Sequence, residues 1–360
     1  MKMSFGSVMG AAVGLAGLVA GVAQASTAGK PAQKINVCYQ DFREEMVTAA
    51  LLVAEKNKFF AEEGLQIRWI KSPKMSKFAQ DQVLKVSNLN AKAEPAYLNG
   101  VIEEAAVLQN AEKEKCHFVS TTVEAAFGAG VDLSLYVPVA NYRYGKDYDV
   151  PVVVRADSEI KSVADLKGKT VRVNQVGSVL PFEDMLKSAG LSSKDVKYQK
   201  VALNSVHTAL DQKQVDVVLS YNPTIPLLMG SNRVRVLEGN LFAKHYPGGY
   251  VPHSLLLMSK SRTEAQVQEK FMRAFERGSQ QLTQKPGTLV EAFPFLKKNY
   301  SNVEIERSLN FTKIGPAVIR KSSNAATYMQ DSRFAEYANL LQERGFLTSK
   351  VDLSSWQNVQ

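Results

Sequence analysis

The stretch Val163-Ala164-Asp165-Leu166-Lys167-Gly168-Lys169-Thr170-Val171-Arg172-Val173-Asn174-Gln175-Val176-Gly177-Ser178-Val179-Leu180-Pro181 decides the fold. A turn rich in Lys and Gly feeds a short β-branched strand, which breaks into a Gly-Ser loop that opens a helix. Ser178 is a candidate N-cap. Such a junction aims unpaired N–H groups and the positive end of a helix dipole at one point, which suits an anionic or strongly polar ligand. Ser178 acting only as a cap is the plainer reading of the same residues. Gly168-Lys169-Thr170 is no phosphate loop, because Val163 stands where its first glycine belongs and the strand follows the motif.

Working outward, the pattern of strand and helix recurs on both sides. Upstream, Ile35 to Tyr39 reads as a strand, Met46 to Glu63 as a helix stopped by Gly64, and Leu65, Ile67 and Trp69 as an alternating strand. This β-α-β unit predicts parallel pairing. Pro73 to Pro95 reads as irregular and Lys-rich, Ala96 to Lys113 as a helix, and Cys116 to Ser120 as a strand whose end, Thr121-Thr122, caps a helix over Val123 to Phe127. The polar and aromatic run Asn141 to Asp149 separates two β-branched strands and marks a crossing between domains. Beyond it come a strand at Thr170 to Val173, a helix at Leu180 to Ser188, strands at Val196 to Val201 and Val215 to Ser220, and a returning strand at Tyr250 to Met258. One α/β domain interrupted by another sets the carboxyl ends of two sheets across a cleft, where open parallel sheets bind ligands.

That topology nominates the loops Asp41 to Glu44, Ser120 to Thr122, Asn141 to Arg143, Val176 to Val179 and Tyr221 to Asn222. The candidate ligand-binding residues are Asp41, Phe42, Arg43, Thr121, Thr122, Asn141, Tyr142, Gly177, Ser178, Val179, Tyr221 and Asn222.

Residues 1–25 carry one charge, Lys2, then an uncharged Gly/Ala/Val/Leu run and Ala23-Gln24-Ala25, the layout of a cleavable secretory signal. An uncleaved anchor is the alternative, given the length of the run. Without Lys2 the chain keeps 43 basic against 35 acidic residues. The basic residues are scattered without interleaved aromatics, so nucleic acid is not an expected partner. Cys38 and Cys116 fall in two expected strands of one sheet. Adjacent parallel strands seldom offer disulfide geometry, so two core thiols are favoured over a pair.

The residues resemble a family, the bacterial periplasmic solute-binding proteins of the nitrate/sulfonate/taurine and thiamine-precursor group. The likeness runs through Leu51-Leu52-Val53-Ala54-Glu55-Lys56-Asn57-Lys58-Phe59-Phe60-Ala61-Glu62-Glu63-Gly64-Leu65, Ser158 to Val173, Gly177-Ser178, Val215-Asp216-Val217 with Asn222-Pro223, and Leu341-Gln342-Glu343-Arg344-Gly345-Phe346-Leu347. The resemblance implies an α/β, two-lobed periplasmic binding protein fold of type II, each lobe a mainly parallel sheet flanked by helices. Lobe 1 is expected over 33–145 and 248–360, and lobe 2 over 146–247. It also implies a monomer in the periplasm, lobes that close on a small solute, and a partner permease of an ABC-type importer. Gly177 and Ser178 would meet an acidic group of the ligand.

Catalysis is not expected. His117, His207, His245 and His253 have no metal-ligand spacing, no serine-nucleophile elbow is present, and no cofactor is implied. The segment from His245 to His253 reads as a Pro/Gly-rich loop between strands, with a mobile strap near the hinge as the alternative; His207 reads as a surface helix residue, and Tyr142, Arg143, Tyr144 and Tyr148 as either ligand contacts or hinge packing. An exported enzyme on the same fold, or a lipid or sensor carrier, are the competing readings.

Overall fold

The opening β-α-β unit forms as its pattern requires: β1 (Gln33–Tyr39) pairs in parallel with β2 (Leu65–Lys71), Gln33 opposite Leu65, around helix Met46–Lys56. The computed structural model describes residues 32–357 apart from 41–45, 73–74, 94, 99, 146–149, 174–175, 294–296 and 322–324. The expected signal over 1–25 and the candidates Asp41, Phe42 and Arg43 lie outside the described residues. Among the described residues no helix is long and apolar enough to cross a membrane.

The further strands are β3 (Phe118–Thr122), β4 (Tyr136–Gly145), β5 (Val152–Arg155), β6 (Thr170–Val173), β7 (Lys197–Lys200), β8 (Val217–Val218), β9 (Val234–Glu238), β10 (Tyr250–Ser259) and β11 (Val318–Ile319). They build two sheets, in the orders β11-β4-β10-β3-β1-β2 and β7-β6-β8-β5-β9. In the first, β1 to β4 run one way and only β10 and β11 oppose them. In the second, β6 to β9 share a direction and β5 opposes it. Each sheet is therefore mainly parallel by direction. In each, the strand that enters from the other sheet is inserted antiparallel into the middle.

Several local expectations are corrected. The helix expected over Met46 to Glu63 stops at Lys56 and restarts as Phe59–Glu62, because Lys58 is left-handed at φ 62°. The stretch read as irregular contains helix Lys77–Val86, whose N-cap Ser76 accepts from the Ala79 N–H at 3.2 Å. The helix expected over Ala96 to Lys113 is broken at Gly100, φ 86°, into Pro95–Leu98 and Val101–Asn110. Helix Val176–Ser188 starts earlier than expected, so Ser178 is buried in its first turn and is not its cap.

Cys38 and Cys116 form a disulfide, with Cα atoms 5.8 Å apart, which overturns the two-thiol expectation. Cys116 lies before β3 in the connection from the preceding helix, and Cys38 stands opposite Val119. The pleat therefore does not fix the direction of the Cys116 side chain, and the geometric objection to pairing disappears.

Helix Ala265–Gln284 buries Val267, Phe271, Ala274, Phe275, Gly278 and Leu282 along one stripe, as its 3.6-residue period requires. Phe271 stacks on Phe118 with centroids 3.6 Å apart. A Cβ on Gly278 would lie 2.3 Å from the Ala50 carbonyl oxygen of helix Met46–Lys56. Overpacking there costs about 1–3 kcal/mol, against roughly 1 kcal/mol regained in helix propensity. Gly278→Ala is expected to lower the urea midpoint with an unchanged m-value. An unshifted midpoint would mean that the two helices can separate freely.

Candidate functional site

The carboxyl end of β3 starts the site. Thr122 caps helix Val123–Gly128 by accepting from the Ala125 N–H at 3.3 Å, and its hydroxyl donates to the buried Glu104 carboxylate. This places Glu124 in the first turn, where the helix dipole favours an anion, and leaves it 1% exposed. Glu124 Oε1 accepts from the Tyr337 hydroxyl at 2.6 Å. Its Oε2 lies 3.6 Å from His253 Nδ1, too far for a hydrogen bond.

His253 reaches this point because β10 is irregular. Pro252 stands opposite Arg143 and Ser254 opposite Tyr142, so His253 is the extra residue of a bulge and has no opposite number on β4. A bulge re-aims a side chain. The imidazole, 0% exposed, sits against two tyrosines: its centroid is 4.7 Å from the Tyr144 ring and 4.8 Å from that of Tyr221. The two phenols stack on each other, with centroids 4.1 Å apart and planes 12° apart. His253 thus lies in the strand expected over Tyr250 to Met258, and the loop reading of His245 to His253 does not extend to it.

Helix Val176–Ser188 of the second sheet brings Gly177 to the same place. A Cβ on Gly177 would lie 2.7 Å from Glu124 Oε1, 3.1 Å from the Tyr221 hydroxyl and 3.3 Å from that of Tyr337. The first turn of that helix therefore faces a carboxylate carried by the first sheet, at the dipole's positive end. The gap expected in front of Gly177 is here a packed, buried polar seam. Burial, and then the Glu124 carboxylate, hold the Tyr337 hydroxyl far above the usual phenol range, so it remains a donor. The Tyr246 hydroxyl is raised by the same two causes in the same order.

Glu124 Oε2, both ring nitrogens of His253, Thr121 Oγ1 and Asn141 Nδ2 are buried with no hydrogen-bond partner among the described residues. Buried polar atoms in folded proteins are nearly always satisfied, so the unpartnered Glu124 Oε2 and His253 nitrogens make this packed seam the candidate site.

The other candidates are distributed as follows. Gly177 and Tyr221 join the seam; Ser178 and Val179 are buried in the first helical turn. Asn141 Oδ1 accepts from Ser332 Oγ at 3.0 Å. The Tyr142 hydroxyl bonds Ser279 Oγ at 2.6 Å, turning it to helix Ala265–Gln284 and away from the seam. Arg143 lies over the Tyr250 ring at 4.5 Å. Asn222 donates to the Lys313 carbonyl at 2.8 Å and, with Ser220, Tyr221, Phe311 and Lys313, lines a neighbouring cleft of about 250 Å³. Among the described residues no group of acids, histidines or cysteines could hold a metal ion. Glu124, His253 and Tyr337 were missed by the sequence reading. Pro252 inside an expected strand was the available signal for a bulge, and Glu124 follows the nominated Thr121-Thr122 by two residues.

Residues 149–288 match the family described as NMT1/THI5 like. A Haemophilus influenzae protein whose name places it in thiamine biosynthesis is 28% identical over 211 residues, 57% of this chain; the match spans 63% of that protein's length. Among solved structures, the alkanesulfonate-binding protein SsuA from Xanthomonas axonopodis pv. citri, bound to MOPS, aligns over 90% of this chain and 97% of its own with a TM-score of 0.58 at 16% identity. The desulfurization enzyme DSZB aligns over 90% and 96% with a TM-score of 0.53 at 11% identity. The resemblance drawn from the sequence is borne out: the chain carries an NMT1/THI5-like segment, and its fold is that of type II periplasmic binding proteins.

Proposed function

We propose that this chain, which has the fold of the periplasmic solute-binding proteins and the NMT1/THI5-like segment at 149–288, is the substrate-binding component of an ABC-type importer. In this reading residues 1–25 are a cleaved export signal, 33–145 and 248–360 form one lobe, and 146–247 form the other. The protein works in the periplasm as a monomer, closes its lobes on a small organic solute and presents it to a permease.

The observation that carries the reading is the seam at Gly177, where Glu124 and His253 from one sheet meet Tyr221 and a helix N-terminus from the other. Its chemistry favours a polar solute over an anionic one. A ligand carboxylate or sulfonate would meet the Glu124 carboxylate at close range, whereas N–H donors would satisfy Glu124 Oε2 and a flat ring would stack on Tyr144 or Tyr221. A nitrogen-containing aromatic solute is the class that fits, in keeping with the thiamine-biosynthesis name of the Haemophilus influenzae relative.

Native mass spectrometry of the purified protein tests this by asking which small molecule leaves with it. A cationic or neutral nitrogen heterocycle supports the reading; a sulfonate or a lipid opposes it. A second reading, an exported enzyme on the same fold, is favoured by one observation, the buried Glu124 and His253 pair at 3.6 Å. Recovery of the copurified compound unchanged after prolonged incubation opposes catalysis.

A further inference from the structure

Helix Val176–Ser188 touches the first-sheet unit at two levels. At its start, Gly177 approaches Tyr337 of helix Phe334–Glu343. Two turns on, Arg344 Nη2 donates to both carboxylate oxygens of Asp184 at 2.7 Å, and beside it the Tyr97 hydroxyl donates to Glu183 at 2.7 Å. Gly177 and Asp184 are seven residues apart, as are Tyr337 and Arg344. Each pair therefore lies on one helix face about 10 Å apart. Tyr337 from helix Phe334–Glu343 and Arg344 from its C-cap thus reach helix Val176–Ser188 at two levels, the polar seam at its first turn and the ion pair two turns on.

We infer that Arg344 and Asp184 form a catch between the lobes, setting how much of the protein is closed without touching the solute. The inference rests on the two-lobed binding reading. The pair lies about two helical turns beyond Gly177 and bonds neither Glu124 nor His253, so it stabilises the closed form equally with or without solute. The apparent affinity then scales with the closed fraction that the pair maintains. The pair is less screened than an ordinary surface pair, because both side chains are partly covered, at 25% and 29% exposure.

Solution X-ray scattering on the full mature chain tests the catch. Arg344→Gln and Asp184→Asn are each expected to raise the radius of gyration by roughly 1 Å over the ~20 Å of a compact chain of this size. The double variant should rise no further than either single one, because both remove the same contact between the lobes; the Asp184 bond to Lys187 lies within a single helix. Arg273→Gln breaks the comparable exposed pair with Glu63 inside the first-sheet unit, and should leave the scattering curve unchanged. In case a variant does not fold, 1 M NaCl on the unaltered protein should give the same expansion by screening. Superimposable curves for folded Arg344→Gln and the unaltered protein would overturn the inference, as would additive effects in the double variant. Failure here is separable from failure of the binding reading. The copurified solute reports on the binding reading alone, and a catch variant should still retain that compound at high concentration.

Discussion

Glu124→Gln is expected to purify without solute and to bind the compound recovered from the unaltered protein roughly a hundredfold more weakly, the equivalent of about 2–3 kcal/mol for a charge-assisted hydrogen bond. The amide keeps the volume of the carboxylate and can still accept from Tyr337, so packing against Gly177 survives. What changes is the second oxygen. Glu124 Oε2 is a buried acceptor with no partner among the described residues, and the substitution leaves at most one acceptor where two stood. A solute that donates N–H groups to the site would lose a charged acceptor and meet a donor. Stability should hold or rise, because an incompletely satisfied buried charge is removed. Calorimetric titration with the recovered compound, alongside thermal unfolding, separates the two effects. Undiminished affinity would mean that the carboxylate does not read the solute.

The second large effect concerns the frame that holds the site. The Cys38–Cys116 bridge joins the β1 and β3 regions across a sequence separation of 78 residues. Closing a loop of that length in the unfolded chain is worth about 4.5 kcal/mol in the chain-entropy account, with measured values of roughly 2–5 kcal/mol. The Cys38→Ala/Cys116→Ala double variant is therefore expected to unfold about 6 °C lower, using the unfolding entropy of a chain of this size. A reductant should bring the unaltered protein to the same midpoint. If neither treatment moves the midpoint, β1 and β3 are held without the bridge.

The fold was largely legible because it rests on local patterns. The strand at Thr170 to Val173, the alternation at Leu65, Ile67 and Trp69, and the Thr122 cap each follow from a few neighbouring residues and recur where expected. The return of the chain at Tyr250 was also visible, but the single-residue bulge that turns His253 inward was not: a bulge depends on register with β4, more than a hundred residues upstream. The cysteines misled for a related reason. Both were expected within the pleat of a strand, and Cys116 lies just outside one.

The site was half visible. Topology placed Gly177 and Tyr221 at strand ends facing the other sheet, and the seam brings both together. Glu124, His253 and Tyr337 were not found from sequence alone. Glu124 is separated from His253 by 129 positions of the numbering, and Tyr337 reaches Glu124 from a helix near the carboxyl terminus. No periodicity links such residues; the pairing of β3 with β10 inside the first sheet, Thr122 opposite Ser254, and the packing of helix Phe334–Glu343 on that unit make them neighbours. Alternation puts Tyr142 and Tyr144 on one face of β4, yet Tyr142 bonds Ser279 while Tyr144 lies against His253; the register shift of β10 between Pro252 and Ser254 falls opposite this stretch.

The account depends most on solute occupying the seam between the first turn of helix Val176–Ser188 and the Glu124–His253 pair. A crystal structure of the protein loaded with its copurified compound measures this directly. The account predicts difference density within hydrogen-bonding distance of Glu124 Oε2 and His253, with a ring against Tyr144 or Tyr221. Density confined to the cleft at Asn222 and Lys313, with the seam packed as before, would contradict it.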